Sequence, residues 1–526
     1  MHKSKFKSLF LWLPFLLYFC HASLFSNWLV DDAGISFAYA RNLAQGFGLV
    51  AQPQIPPVEG YSNFLWVALM ALFFKGGFFS LYATPKLLSI SFVLGVFFMI
   101  KRLAFEVFKF STTKVLLCLS LLSINSPFVM WSVGGLENPL YCFLIICFAY
   151  LLISQKTPDE TKLKALFLGF LAGLIGLTRP DGIAFGVAGL LCLIISKQKK
   201  VKILQYVACL SLVLGTYQVF RIDYFAQELP LPFYAKGGID FADIFSLKKL
   251  YDLNRSIGGP FGIFIFFAGL LLQIRQIVHS GIRESQLKWT LIMFSSIGVF
   301  LLLPYDWLDW YRYASPYYPL FYVWLLSLEW ESLMAYLPSL NAHKTMVTIS
   351  ICLIIASGLM GGIITDKRIR EPIVPLAFVA ERYGHTFNQY LEVLELQDAS
   401  IMLPDLGGTL LYSKLRVFDM AGLCDKTIAE TFVVNHPAFL DYVFEEVKPS
   451  FIHTHGLWTL EANFDSDPRF RYYYEPINEY IEQYIYSEYK IKIYAGDYVR
   501  SDLVSSRCQS LEYIIQNIQN TKMTRP

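Results

Sequence analysis

Long apolar runs alternate with short polar segments through the first two thirds of the chain. A membrane-spanning helix needs about 20 predominantly apolar residues, with a range of about 17–25. This requirement predicts about eleven spans, over residues 8–27, 84–103, 113–131, 139–155, 163–178, 182–197, 203–220, 260–277, 288–304, 314–329 and 344–365. The pattern therefore predicts a polytopic α-helical membrane protein.

The last part of the chain has a different pattern, with more charge and shorter apolar segments. Ser400–Leu403 and Ser450–His453 have the length and bounds of short buried strands. A segment of about 160 residues can bury a core of its own. We therefore predict a transmembrane module over residues 1–365 and a soluble α/β domain over residues 366–526.

Lys and Arg in the short loops predict the orientation of the spans, because such residues concentrate on the cytoplasmic side. They cluster in alternate loops, at Lys3–Lys7, Lys101–Lys109, Lys156–Lys164 and Lys197–Lys202. The N-terminus is thus predicted to be cytoplasmic and the C-terminal domain extracytoplasmic, which is periplasmic for a bacterial inner membrane. Residues 63–77 would reverse this pattern if they spanned, so we predict a helix along the outer interface.

Composition agrees with a membrane protein and argues against a nucleic-acid partner. Hydrophobic residues make up 55% of the chain and charged residues 16%, against about 25% charged in soluble domains. A net charge of +3 is too small to attract nucleic acid. The nine cysteines form no CxxC pair, which argues against a zinc or redox motif. A disulfide between Cys424 and Cys508 is left open.

The predicted span centres carry almost no ionisable residues, and the polar motifs fall in the loops on the outer side. Charges inside a bilayer are costly and mark transport pathways. Their scarcity argues against a glycolipid or polysaccharide exporter, which is kept as an alternative. A non-catalytic envelope-assembly protein is a further alternative.

Asp31 and Asp32 stand at the start of the first outer loop, about residues 28–80, before a stretch of helical character that ends near Gly46. A helix N-cap needs only one such side chain. Two adjacent carboxylates repel each other, and burial raises their pKa. That arrangement suits a general base or a cation site, with simple capping as the alternative.

Several motifs together resemble the GT-C glycosyltransferases, multispanning enzymes that use polyprenyl-phosphate sugars. The first-loop motifs are Asp31–Val50 and Val58–Trp66. The later motifs are Gly135–Asn138, Leu177–Gly182, Pro232–Lys236, Asp306–Tyr313, Asp405–Gly407 and Asp419–Leu423. The pattern is similar to that of terminal arabinofuranosyltransferases. Gly34, Ala38 and Asn138 depart from it, which leaves the sugar undefined.

The resemblance implies an acidic catalytic base on the first-loop helix. A positioned base typically contributes 10²–10⁴-fold, and a phosphate leaving group needs cations rather than an acid. Our hypothesis makes Asp31 the base, with Asp32 orienting it or binding sugar hydroxyls. The predicted substrate-binding residues are Glu59, Tyr61, Asn63, Glu137, Arg179, Asp181, Tyr234, Lys236, Asp306, Trp307 and Arg312.

Simpler interpretations of these residues stay open. Glu59 has the alternative of facing solvent, Glu137 that of capping a helix, and Arg179 and Arg312 that of reaching the interface from span ends. Trp307 has the alternative of an interfacial belt residue.

Metal ligands are not identifiable from the sequence. His453 and His455 share one face of a predicted strand, but a third ligand is missing. No metal residues are predicted, and a divalent cation is the one cofactor left open.

The resemblance thus implies a transferase that takes a sugar from a polyprenyl-phosphate donor. The acceptor is a glycan or glycolipid of the cell envelope, and membrane lipids surround the spans. The reaction is predicted at the outer face of a bacterial inner membrane.

Overall fold

The fold is described by a computed structural model over residues 12–154, 161–237, 246–258, 262–304, 308, 311–328, 372–486 and 489–505. Up to residue 328 the regular elements are helices. They are α1 Leu13–Ser23, α2 Asp31–Ala44, α3 Phe64–Lys75, α4 Ala83–Glu106, α5 Thr112–Ile124, α6 Ser126–Trp131, α7 Asn138–Ile153, α8 Thr161–Thr178, α9 Ile183–Ile195, α10 Lys200–Phe225, α11 Leu231–Ala235, α12 Leu247–Gly258, α13 Gly262–Ser280, α14 Glu284–Leu302 and α15 Tyr317–Ser327.

Four of the described helices are long and apolar enough to cross a membrane. They are α4, α10, α14 and the Gly262–His279 part of α13. Shorter apolar helices coincide with other predicted spans, including α1, α7, α8 and α9. The predicted span 344–365 lies outside the described residues, so the count of about eleven stays a prediction.

The predicted span 113–131 consists of two helices, which corrects that prediction. Asn125 is extended between α5 and α6, and its side-chain oxygen accepts a hydrogen bond from Phe128 N at 2.8 Å. Pro127 in the first turn of α6 has no N–H to continue the ladder of α5. The local sequence Asn-Ser-Pro therefore ends one helix and begins the next.

The first loop contains two helices that pack against each other. Helix α2 begins at Asp31, directly after the extended residue Val30, and α3 covers the apolar segment predicted as an interfacial helix. The indole N–H of Trp66 on α3 donates to Gly135 O at 3.1 Å, which ties the loop to the start of α7. The first loop is thereby fixed against the helices.

The C-terminal domain is an α/β unit with a five-stranded sheet. Its strands are β1 Ser400–Leu403, β2 Arg416–Asp419, β3 Phe451–Thr454, β4 Tyr474–Tyr486 and β5 Tyr489–Arg500. Its helices are α16 Leu376–Val379, α17 Thr386–Val393, α18 Gly407–Tyr412, α19 Lys426–Thr431, α20 His436–Asp441, α21 Gly456–Ala462, α22 Pro468–Tyr473 and α23 Ser501–Ser505, with π-helical turns at Ala380–His385 and Tyr442–Val447. Both predicted short strands are confirmed.

The strand order is β2-β1-β3-β5-β4. The first three strands run parallel, and β5 pairs antiparallel with both β3 and β4. The carboxyl ends of parallel strands share one edge of a sheet, where ligand sites of α/β folds gather. Here the loops after β1, β2 and β3 leave from that edge.

Alternate residues of each strand face opposite sides of the sheet. Ile401 and Leu403 belong to a buried cluster that continues into the N-terminal helices, whereas Met402 belongs to a second cluster within the domain. Val374 O accepts a hydrogen bond from Asp31 N at 3.1 Å, which adds a backbone link between domain and first loop. The domain therefore docks on α2. The predicted boundary at residues 365–366 lies outside the described residues.

Candidate active site

A small polar cavity of about 80 Å³ lies where the first loop meets the helices and the C-terminal domain. Its charged lining residues are Asp32, Glu137, Arg179, Lys236 and Arg312. The other lining residues are Ile35, Ser36, Gly60, Tyr61, Ser62, Asn63, Leu136, Pro232, Tyr313 and Leu423. The folding thus brings together seven of the thirteen predicted site residues, from six separate segments of the chain.

Asp32 faces this cavity beside a guanidinium. Its side chain is 20% exposed, and Oδ2 lies 3.2 Å from Nη1 of Arg312. Arg312 is buried, stands over the rings of Trp131 and Tyr313, and donates to the Tyr313 hydroxyl at 3.2 Å. The guanidinium therefore holds Asp32 in one orientation, with part of its carboxylate still open to the cavity.

Glu137 and Arg179 form a second charged pair in the cavity wall. Nη1 of Arg179 lies 2.9 Å from Oε1 of Glu137, and the Asn63 amide donates to the other carboxylate oxygen at 2.8 Å. Nε of Arg179 lies 3.0 Å from Asp181, which also accepts a hydrogen bond from the Tyr141 hydroxyl at 3.0 Å. Asp181 therefore positions Arg179 from behind and does not line the cavity.

Lys236 adds a third cation to the lining. Within the part of the chain that the structure describes, its ammonium has no ion-pair or hydrogen-bond partner. It follows the short helix α11, and Leu231 N at the start of α11 donates to Glu59 O at 2.9 Å. Among the described residues, the cavity lining thus has three cations against two carboxylates, and Lys236 is the unpaired cation.

Asp31 has different surroundings from its neighbour. Its side chain is buried, and its oxygens accept hydrogen bonds from Gly407 N at 2.8 Å and Gly408 N at 2.7 Å, at the start of α18. Burial raises the pKa of Asp31 well above its usual value, and the nearby charge of Asp405 adds to this, while the two amides oppose it. Both oxygens are used to dock the C-terminal domain.

Arg41 complements Asp31 at the other end of the same short helix. Its guanidinium donates to Leu411 O at 2.8 Å and to Leu410 O at 2.9 Å. A carboxylate at a helix N-terminus and a cation at its C-terminus both match the helix dipole. The first-loop helix therefore holds α18 by both ends.

Glu59 is turned away from the cavity, contrary to the sequence-based assignment as a sugar-binding carboxylate. It is 1% exposed, and it forms a 2.5 Å ion pair with Nε of Arg221 and accepts a 2.6 Å hydrogen bond from the Tyr217 hydroxyl. Both partners lie on α10, 158 and 162 residues away along the chain. An arginine within an apolar helix was the available signal for this buried pair.

The remaining predicted residues fall in three places. Tyr61 lines the cavity and contacts the Tyr217 hydroxyl at 3.4 Å. Tyr234 is 41% exposed and does not line the cavity. Asp306 and Trp307 lie outside the described residues, as does Cys508 of the Cys424 pair.

The C-terminal domain supplies residues near the site that are not among the thirteen predicted site residues, although Asp405 and Leu423 lie in motifs of the family resemblance and His455 was considered as a metal ligand. Leu423, after β2, lines the cavity, and Asp405, after β1, lies near Asp31 and Asp32. His455, after β3, contacts Asp405 at 3.3 Å. Their common signal is a position just beyond the carboxyl end of a parallel strand.

The described residues contain no group of three or more His, Cys, Asp and Glu side chains arranged to hold a metal ion. The oxygens of Asp31 face backbone amides, and those of Glu137 face Arg179 and Asn63. The oxygens of these two carboxylates thus already have protein partners.

Helices of membrane-spanning character, an α/β domain docked on them and a charged cavity at the junction define a polytopic membrane protein with a C-terminal soluble domain. The same fold occurs in ArnT from Cupriavidus metallidurans in the apo state, with a TM-score of 0.54, 11% identity, and 94% of this chain and 98% of that chain covered. Its structure bound to undecaprenyl phosphate gives a TM-score of 0.52 at 10% identity over 93% and 98% of the two chains.

The oligosaccharyltransferase of Archaeoglobus fulgidus in the apo form also has this fold, with a TM-score of 0.56, 12% identity and coverage of 94% of this chain and 75% of that chain. No protein-family model and no curated protein sequence matches the chain. At these identities the likeness concerns the fold alone, and it supports the predicted polytopic helical fold with a C-terminal soluble domain.

Proposed function

We propose that the protein is a glycosyltransferase that moves a sugar from a polyprenyl-phosphate donor to a hydroxyl of a cell-envelope glycan or glycolipid. The observation that carries this proposal is the cavity in which one partly open carboxylate, Asp32, faces cations that include Lys236, which has no partner among the described residues. A hydroxyl nucleophile needs a base, and a phosphate leaving group needs positive charge. The cavity offers both within one small volume.

Asp32 takes the role of general base in this proposal, and Asp31 takes a structural one. The sequence-based hypothesis had Asp31 as the base, with Asp32 orienting it or binding sugar hydroxyls. Both oxygens of the buried Asp31 accept backbone N–H groups, whereas Asp32 reaches the cavity. A base must lie within hydrogen-bond reach of the proton that it removes.

The reaction then follows from the placement of these groups. Asp32 removes the proton of the acceptor hydroxyl while the hydroxyl oxygen attacks the anomeric carbon, and the bond from that carbon to the phosphate oxygen breaks. The lipid phosphate leaves with the electron pair, and Lys236 and Arg179 offset its charge. Glu137 and Asn63, joined by a hydrogen bond in the wall, are placed to bind sugar hydroxyls.

Two solved structures support the donor class in general terms. ArnT has been solved bound to undecaprenyl phosphate, and the archaeal oligosaccharyltransferase AglB has been solved in complex with an inhibitory peptide and a dolichol-phosphate. The AglB complex covers 97% of this chain with a TM-score of 0.52 at 11% identity. We place the reaction at the periplasmic face of the inner membrane, in keeping with the distribution of basic loops.

The proposal is tested with membranes that contain the wild-type protein or its Asp32→Asn variant. Each is incubated with a panel of radiolabelled sugars on undecaprenyl phosphate, and label entering the glycolipid and glycan fractions is counted. Mass spectrometry of surface glycans from a deletion strain identifies the transferred residue. The proposal expects transfer from one donor by the wild type only, and a lack of transfer from every donor would contradict it.

A further inference from the structure

The C-terminal domain contains a chain of hydrogen-bonded titratable side chains that ends near Asp32. Oδ1 of Asp497 lies 2.6 Å from Nδ1 of His453, and Nε2 of His453 lies 3.1 Å from Nδ1 of His455. Nε2 of His455 lies 3.3 Å from Oδ2 of Asp405. We call Asp497, His453, His455 and Asp405 the C-terminal relay.

The inner end of the relay has a fixed polarity. Arg382 donates to both oxygens of Asp497 at 2.9 Å, and the Tyr390 hydroxyl donates at 3.1 Å. Burial opposes ionisation of Asp497, but the hydrogen bond from His453 and the charge of Arg382 lower its pKa. Asp497 is therefore an acceptor only, so Nδ1 of His453 carries the proton and its Nε2 accepts from His455.

At the outer end of the relay, His455 and Asp405 share one proton, which can lie on Nε2 of His455 or on Oδ2 of Asp405. With Nδ1 of His455 donating to His453, its Nε2 faces Asp405, and one proton can sit on either partner. Burial raises the pKa of Asp405, and the charge of Asp32 raises it further. The charge of His455 and the hydrogen bond with Tyr383 act in the opposite direction and lower it. Burial lowers the pKa of His455, whereas the charge of Asp405 raises it. The acid and the imidazole are thus brought toward each other in proton affinity.

The surroundings of this pair are mixed in charge. Asp31 and Asp32 approach Asp405 from α2, and Tyr383 approaches both partners from the turn after α16. Glu482 on β4 and Arg382 act on His455 with opposite signs. The His455 side chain is 27% exposed, whereas those of His453 and Asp497 are 1% and 0% exposed. The relay therefore has one closed end and one open end.

We propose that Asp405 and His455 receive the proton that Asp32 takes from the acceptor hydroxyl and release it to solvent at the open edge of His455. This inference rests on the proposed function. The proton passes from the Asp32 carboxyl through water of the cavity to the Asp405–His455 pair, which becomes one charge more positive. Loss of that proton from His455 to bulk water restores the pair, and Asp32 is again a carboxylate for the next turnover.

In this scheme His453 and Asp497 are positioning residues, because they fix the tautomer of His455 and touch no substrate. A network that only held β3 to β5 would need His453 and Asp497. It would not need a second histidine that is open to solvent and aimed at a carboxylate beside the cavity. The position of Asp405, two residues after the end of β1, places the relay at the domain surface that docks on α2.

The test uses full-length His455→Ala in detergent, with the radiolabelled undecaprenyl-phosphate sugar that the wild type accepts. We expect kcat to fall about tenfold or more, with the KM for the donor within about twofold of wild type. Added imidazole should restore most of the lost rate, and the rescue should grow as imidazole loses its proton. His436→Ala is the matched control, because His436 hydrogen-bonds only to the carbonyls of Glu461 and Ala462 among the described residues.

A second variant, His455→Gln, keeps a hydrogen-bonding side chain and guards against loss of folding. It should melt at the wild-type temperature and show the same loss of kcat. Wild-type kcat in both variants, or a folded His455→Ala that imidazole does not rescue, overturns the relay. The proposed function stands even when the relay is overturned, provided that the wild type transfers sugar and Asp32→Asn does not. A wild type without transfer fails the proposed function itself.

Discussion

Carboxylates that contact backbone of the C-terminal domain, here called domain-side, and carboxylates that line the cavity, here called cavity-side, are held in different ways. The domain-side carboxylates are Asp31 of α2 and Asp419 of β2, which are buried and accept backbone N–H groups of the C-terminal domain. On the cavity side, Asp32 and Glu137 pair with the guanidinium groups of Arg312 and Arg179. Backbone amides cannot move away without unfolding a turn, whereas a guanidinium can exchange one anion for another. Asp31 and Asp419 therefore have a structural role, whereas Asp32 and Glu137 can exchange a guanidinium partner for a ligand in the cavity.

The largest expected effect comes from replacing Asp32 by asparagine, compared with the same replacement at Asp31. Asp32→Asn removes the proposed base and should lower kcat by about 10²–10⁴-fold with an unchanged melting temperature. Asp31→Asn leaves one backbone N–H facing an amide N–H₂ and should cost about 1–3 kcal/mol of stability. Its rate per folded molecule should stay within about threefold of wild type, because Asp31 does not reach the cavity.

Both variants are measured together, with label transfer for the rate and tryptophan fluorescence for unfolding. The assignment of Asp31 as structural and Asp32 as the base is contradicted if folded Asp31→Asn loses transfer and Asp32→Asn retains it. In that case the sequence-based assignment, with Asp31 as the base, would be correct.

The domain-side carboxylates also predict how stability depends on pH. Burial raises the pKa of Asp419 to about 7, against hydrogen bonds from Cys424 N and Ala421 N. Between its unfolded pKa, near 4, and this folded value, the folded state binds more protons than the unfolded state. Stability therefore falls as the pH rises through this window, by at most about 1.4 kcal/mol per unit, and levels off above it.

Melting temperatures in detergent at several pH values check this sign. Asp419→Asn should flatten the decline between about pH 5 and pH 7, even though it loses one backbone acceptor. Asp398→Asn, at an exposed position of the same domain, is the control and should keep the wild-type slope. An unchanged slope in Asp419→Asn would show that this carboxylate is ionised throughout.

The tight contact on the domain side gives the next effect. A Cβ added at Gly34 would lie 2.6 Å from the carbonyl carbon of Gly407, a backbone atom that cannot turn aside. Gly34→Ala should therefore cost about 1–3 kcal/mol and loosen the domain from α2. Protease susceptibility of the C-terminal domain measures this, and Gly298→Ala is the matched control because a Cβ there meets no atom within 4 Å. Equal digestion of the two variants would contradict the docking contact.

Much of the fold followed from local pattern. Apolar runs predicted helices such as α4 and α14, and short bounded apolar segments predicted β1 and β3. The break at Asn125 was missed although Asn-Ser-Pro signals it. Gly34, a departure from the family pattern, now has a local reason in its contact with Gly407.

The partners of the site residues could not be predicted in the same way. Arg312 lies 280 residues from Asp32, and Gly407 lies 376 residues from Asp31. The sequence placed both aspartates at the start of one helix, but successive residues of a helix point about 100° apart. Which of the two faced a cavity depended on what packed on each side, and that depended on the docked domain.

The smallest expected effect concerns Lys236, a cation in the lining of the cavity. Lys236→Gln removes the one cavity cation that has no partner among the described residues, so it should weaken binding of the donor phosphate without disturbing an existing ion pair. We expect the KM for the polyprenyl-phosphate sugar to rise about tenfold, which is about 1.4 kcal/mol, with kcat and the acceptor KM within about twofold. Lys414→Gln, at an exposed lysine of the C-terminal domain, is the control. An equal rise in both KM values would assign Lys236 to general attraction rather than to the phosphate.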